Sequence, residues 1–153
     1  MNRTMLILIL LGLIVVAGFM LSGQEKSRTH SGAKSPVLLL NITSGATEDP
    51  HAVTMALQLA GHGLEDGREV VLFFNVRGVS VPTVDLPADL AFIDKPIKEL
   101  LTRLIEQGAE VHVCPHCMKA LKVDDSDLIK GAVVTSREKL FSKLGSNTVV
   151  FSY

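Results

Sequence analysis

From Pro36 onward, short apolar runs alternate with longer amphipathic stretches, and three of those stretches close on Gly67, Gly108 and Gly145. The runs are VLLLNI (Val37–Ile42), VVLFFNV (Val70–Val76), EVHV (Glu110–Val113), AVV (Ala132–Val134) and the final Thr148–Tyr153. Short, nearly unbroken apolar runs are expected of parallel strands covered on both faces. The stretches between them carry helix signals. Asp49-Pro50 supplies an N-cap and a first-turn proline. After it, Val53, Leu57, Ala60 and Leu64 recur at helical spacing, widened by Met55 and Leu59. Pro96 opens a second helix with Ile97, Leu100, Leu101, Leu104 and Ile105 on one face, a third short helix runs to Leu121, and Thr135 with Glu138 forms a capping box for the last. Leu140, Phe141 and Leu144 make that last helix's inner face. This order, β-α-β-α-β-α-β-α-β, predicts one α/β domain: a five-stranded parallel sheet with right-handed crossovers and helices on both faces.

In such sheets the site lies outside the carboxyl ends of the strands. Two turns reach that edge: Thr43–Asp49 after the first strand, and Cys114-Pro115-His116-Cys117 after the third. A longer connection, Arg77–Lys95, contains Pro82 and Pro87. It reads either as a surface loop with one helical turn near Ala88–Phe92 or as a lid over the edge. Asp127–Lys130 is a candidate for one further helical turn.

The N-terminus is of another kind. Met5–Leu21 is seventeen residues without a charge or proline, preceded by Arg3. That is the lower limit for spanning a bilayer and long for a signal h-region. Residues 1–22 are therefore expected to be a transmembrane anchor, with a cleaved signal as the alternative and a buried helix as the least favoured. Residues 23–35 form a polar flexible linker, and 36–153 the folded domain. The flanking charges leave orientation open. Because the segment leads the chain, an extracytoplasmic domain is expected, secreted or periplasmic if the signal is cleaved, where disulfides persist. Fifteen basic against sixteen acidic residues leave no basic stripe, which argues against a nucleic-acid partner.

Both cysteines of the chain lie in the CPHC turn. Pro115 suits the first helical position, making Cys114 the expected N-cap, with unpaired N–H groups and the helix dipole facing its sulfur. Such a thiol has its pKa lowered from about 8.5 and becomes the nucleophilic thiolate. Two cysteines a helical turn apart also close a disulfide readily, which is the dithiol redox reading. A thioredoxin-type fold is disfavoured because the motif follows the third strand and no proline-led strand is available to face it. A metal site built on His112, Cys114, His116 and Cys117 is disfavoured too: His112 should point away along its strand, and a closed zinc site needs further ligands, which only His51 and Asp49 could offer. No metal and no cofactor is expected. Ordinary core-edge thiols remain the bland alternative. Candidate catalytic residues are Cys114 and Cys117; Pro115, His116, Ser44, Gly45 and Asp49 are candidates for shaping the site. The Ser44-Gly45 turn has backbone N–H groups suited to an anion, while Asp49 is first of all a helix cap.

LLLNITSG with Asp49-Pro50, LQLAGHGLEDGREVVLFFNVRGV, IKELLTRLIEQGAEVHVCPHCMKA and DLIKGAVV occur in an order and spacing that resembles the DsrE/DsrF/DsrH-like family, including sulfur-relay proteins of the TusBCD type. The resemblance covers Pro36–Tyr153. It implies a three-layer α/β/α sandwich and assembly into homo- or hetero-oligomers, often trimers or hexamers. It also implies a persulfide carried on the cysteine that Cys114 matches. Cys117 has no obligatory counterpart in the relay members, and Lys122 stands where many relatives have glycine. The expectation is thus a membrane-tethered or exported sulfur carrier or sulfurtransferase exchanging sulfur with a thiol protein or small sulfur compound. The alternatives are a thiol–disulfide oxidoreductase and a non-catalytic oligomeric module with structural or metal-binding cysteines.

Overall fold

A computed structural model of the chain describes residues 35–153. The expected N-terminal helix and most of the linker lie outside the described residues; within them, no helix is long and apolar enough to cross a membrane.

The strands and helices run β1 (Val37–Ile42), α1 (Pro50–Glu65), β2 (Glu69–Phe74), β3 (Ala91–Phe92), β4 (Lys95–Pro96), α2 (Ile97–Glu106), β5 (Glu110–Val113), α3 (Pro115–Leu121), β6 (Ala132–Val134), α4 (Arg137–Phe141) and β7 (Thr148–Ser152). Five strands form one parallel sheet in the order β6-β5-β2-β1-β7. β3 and β4 form a separate two-stranded antiparallel hairpin.

The topology explains the layering. From β1 the chain steps outward through β2 and β5 to β6, then returns to the far side of β1 as β7. Right-handed crossovers taken in one direction put their helices on one face, and reversing direction puts the next helix on the other. On the first face α1, α2 and Met118 of α3 cover a core of Leu38, Leu40, Ile42, Val70, Leu72, Phe74, Val111 and Val113. On the second, Leu140 and Leu144, in and after α4, pack on a small cluster of Val37, Leu39 and Val71. Helices on both faces are therefore present, with the second layer reduced to the five-residue α4.

Local signals act largely as expected. Asp49 caps α1 by accepting from the Ala52 N–H at 2.9 Å, worth about 1 kcal/mol. The buried stripe of α1 is Val53, Ala56, Leu57, Ala60 and Gly63, whereas Met55 is 41% exposed. Gly63 lets the helix approach the sheet closely: a Cβ there would sit 2.6 Å from the Leu38 side chain.

Five local expectations are corrected. β2 ends at Phe74 because Val76 turns into a 3-10 segment. No helical turn forms at Ala88–Phe92; the chain makes the β3–β4 hairpin instead. A 3-10 turn forms at Asp125–Asp127 rather than Asp127–Lys130, closed by a reciprocal capping box between Asp124 and Asp127. The cap of α4 is Ser136, accepting from Lys139 N–H, because the Thr135 hydroxyl is engaged by His112; Phe141 is 64% exposed, outside the inner face.

Candidate functional site

β5 delivers Cys114 to the carboxyl edge of the sheet. The Cys114 N–H extends the ladder by donating to the Phe74 carbonyl at 2.9 Å. At φ −72°, ψ 116° Cys114 is the N-cap of α3, with Pro115 in the first turn. Cys117 follows one turn later, and Met118 anchors the helix in the core at 3% exposure. α3 stops at Lys122, a left-handed C-cap (φ 58°, ψ 41°) of the kind glycine usually fills. Both cysteines are free thiols, half-buried against the main core. Pro115 and His116 are exposed on the outer side of the turn.

The Cys114 sulfur makes no capping hydrogen bond to the first turn of α3. A backbone donor from another segment serves Cys117, whose Sγ accepts the Val76 N–H at 3.1 Å. Burial pushes the Cys117 thiol up, the Val76 N–H pulls the other way, and the neighbouring Cys114 thiol, within hydrogen-bonding reach, adds to the rise. Cys117 is thus held protonated more firmly than an ordinary thiol.

Val76 is the strained point of the site. Its φ is +51°, a region that a β-branched residue rarely occupies. The following turn, Val76–Ser80, is clamped against the end of β1. Gly78 N–H donates to Thr43 O and Asn75 O, Asn75 N–H donates to Ile42 O, and a Cβ on Gly78 would lie 2.3 Å from Ile42 O. The Asn75 side-chain amide donates to Asn41 Oδ1, and Asn41 donates to the Ser152 hydroxyl. Backbone packing therefore over-determines where the Val76 N–H points.

The first turn joins the site through this segment. Gly45 is buried, and a Cβ there would lie 3.4 Å from Arg77 O; Ser44 O is equally close to the position of a Cβ on Gly78. Ser44 and Gly45 thus back the 76–78 segment, whose Val76 N–H donates to the Cys117 sulfur. Asp49 is committed to its capping bond with Ala52 and faces solvent. The crevice where the strand order reverses, between β1 and β7, is tied shut: Thr43 donates to Tyr153 O from its N–H and its hydroxyl, both at 2.7 Å.

His112 points to the opposite face from Val111 and Val113, as strand alternation requires. At 3% exposure its Nδ1 pairs with the Thr135 hydroxyl at 3.0 Å and its Nε2 with Glu110 at 3.4 Å. Burial alone would raise Glu110, but hydrogen bonds from Lys143 (2.6 Å) and His112 outweigh it and hold the carboxyl below its usual range. His112 is a structural relay, away from the thiols.

The connection after the 3-10 turn is fixed at two places. Lys98 donates from its ammonium to the carbonyls of Val84 and Leu86, and Phe92 of the hairpin stacks on His51 with ring centroids 4.2 Å apart. The hairpin so docks beside the start of α1. Sequence reasoning missed Asn75, Val76 and Gly78. "NVRG" directly after an apolar run was the available signal, since a glycine that close to a strand end points to backbone crowding.

The DsrE/DsrF-like family matches residues 38–151. Uncharacterized protein MJ0989 of Methanocaldococcus jannaschii is 36% identical over 99 residues, 63% of this chain and 83% of that protein. Uncharacterized protein MK0008 of Methanopyrus kandleri is 33% identical over 99 residues, again 63% of this chain, and 78% of that protein. Among solved structures, the ychN protein from E. coli superposes with a TM-score of 0.64 at 16% identity, over 78% of this chain and 99% of that one. Protein MTH1491 from Methanobacterium thermoautotrophicum gives 0.58 at 16% identity, over 77% and 99%. These two likenesses concern the fold. On the extent of the family match, the chain belongs to the DsrE/DsrF-like family.

Proposed function

We propose that the domain handles sulfur through Cys114, with Cys117 as the resolving thiol. The observation that carries this reading is the free-thiol pair at the carboxyl edge, with Cys114 at the start of α3 and Cys117 one turn on, its thiol raised by partial burial. The Cys114 thiolate attacks the sulfane sulfur of a polysulfide or persulfide. A Cys114 persulfide forms and the donor leaves as a thiolate or shortened polysulfide. Cys117 then gives up its proton and attacks the Cys114 Sγ. A Cys114–Cys117 disulfide forms, the sulfane sulfur leaves as hydrogen sulfide, and a dithiol reductant restores the pair. A partner thiol that takes the sulfur first makes the protein a carrier instead.

The uncharged N-terminal run supports a membrane-tethered or exported domain, where such a disulfide persists. Self-association is supported by the edge strand β7, whose Val149, Val150 and Phe151 are 44%, 55% and 45% exposed. The thiol–disulfide oxidoreductase reading draws on the same adjacency of the thiols, but uses no sulfane sulfur.

Sulfide release tests the proposal. Reduced protein given a stoichiometric polysulfide should release sulfide and form the internal disulfide, whereas Cys117→Ser should retain the sulfur. Internal disulfide formation by exchange with an external disulfide, which is reduced to its dithiol, without any reaction with polysulfide, points to the oxidoreductase.

A further inference from the structure

The Val76 N–H is a fixed donor aimed at a sulfur that must become an anion, and the surrounding backbone prevents it from turning away. We infer that Val76 is a positioning residue whose main-chain N–H stabilises the Cys117 thiolate as it forms during resolution of the Cys114 persulfide. This rests on the sulfur-handling reading above, and assigns the main chain of the 76–78 segment a role in it.

Three observations converge. The N–H to Sγ distance is 3.1 Å, and Val76 is itself 53% exposed, so its side chain has no packing role that would place it there. Its φ of +51° puts a β-branched residue in the left-handed region, a conformation that persists only where neighbours impose it. The neighbours doing so are Gly78 against Ile42 O and Ser44 O, and Asn75 against Asn41. A half-buried thiol otherwise ionises reluctantly. A donor already oriented toward it lowers the cost of losing the proton without reorganisation at the moment of attack. The electron bookkeeping of the step is unchanged: Cys117 loses a proton, the S–S bond to Cys114 forms, the persulfide S–S bond breaks, and sulfide leaves with the electron pair. The Val76 N–H only stabilises charge.

The test removes the N–H while keeping the side chain and chain direction. Incorporation of the α-hydroxy analogue of valine at position 76 replaces the amide by an ester. In a Cys114→Ser background, Cys117 alkylation followed against pH should move to higher pH and slow at least about tenfold at neutral pH, the effect of one hydrogen bond to a charged group. In a Cys117→Ser background the ester should leave Cys114 alkylation unchanged. Val76→Asn, which keeps the N–H and tolerates a left-handed backbone, should retain the parent Cys117 profile. An ester protein with an unshifted Cys117 profile overturns the inference. So does an equal slowing at both cysteines, which would mean general loosening. Neither readout uses polysulfide, so the result stands apart from success or failure of the sulfur chemistry.

Discussion

Gly78→Ala should damage the domain where the site is built. An ideal Cβ at Gly78 lies 2.3 Å from Ile42 O, 3.0 Å from Ile42 C and 3.4 Å from Ser44 O. All three are backbone atoms, and Ile42 is the last residue of the interior strand β1, so no side-chain rotation relieves the overlap. The segment must move outward, stretching the Gly78 N–H bond to Thr43 O (3.1 Å) and the Asn75 N–H bond to Ile42 O (3.0 Å). Overpacking of this kind costs about 1–3 kcal/mol, a fall in Tm of about 4–12 °C for a domain of this size. Urea unfolding followed by circular dichroism reads the loss directly. Gly61→Ala is the matched control: in α1 its Cβ meets only a Leu104 methyl at 3.8 Å. Relief of glycine's helix penalty should stabilise that variant by about 0.5–1 kcal/mol. If Gly78→Ala falls within about 0.5 kcal/mol of the parent, the clamp described for the 75–78 segment is wrong.

Lys122→Gly should raise stability by about 0.5–1 kcal/mol, because the left-handed C-cap of α3 costs a lysine about 1–2 kcal/mol and glycine returns part of that in chain entropy. The urea midpoint checks it, and a destabilised variant would contradict the assigned cap. Lys143→Met should weaken the domain modestly at neutral pH, since Glu110 is half-exposed and its ion pair is screened. Glu110 has a lowered folded pKa, so its contribution is present above the ordinary value of 4.5 and disappears as pH falls through the lowered one. The gap between parent and variant should therefore close on acidification below the ordinary value of 4.5; a gap constant from neutral to acid pH would count against the Glu110–Lys143 pair. Cys117, raised by burial, should react with iodoacetamide more slowly than an exposed thiol between pH 7 and 9 in Cys114→Ser protein. Equal rates would contradict a Cys117 thiol raised by burial.

The sheet was legible in the sequence because each strand is a short apolar run bounded by helix caps. β1, β5 and β6 carry the bounds that hydropathy alone assigns. Errors gathered where a side chain had two available partners or the backbone left its usual region. Thr135 looked like a helix cap, but buried His112 needs its hydroxyl more than the first turn of α4 does, and Ser136 stands next in line. The end of β2 was overrun because Val76 is a strong strand former held in a left-handed turn, a conformation dictated by contacts with β1 that no local pattern contains. For the same reason CPHC located the thiols in the fold but gave no sign of the backbone donor that Val76 brings to Cys117. A donor from residue 76 reaching residue 117 is a tertiary fact.

Site-resolved mass spectrometry after a brief exposure of the reduced protein to polysulfide tests the central claim most directly. In Cys117→Ser protein, Cys114 should carry added mass in steps of one sulfur, while Cys114→Ser protein should carry none on Cys117 over the same interval. Sulfur accumulating on Cys117, or on neither cysteine, would contradict the account.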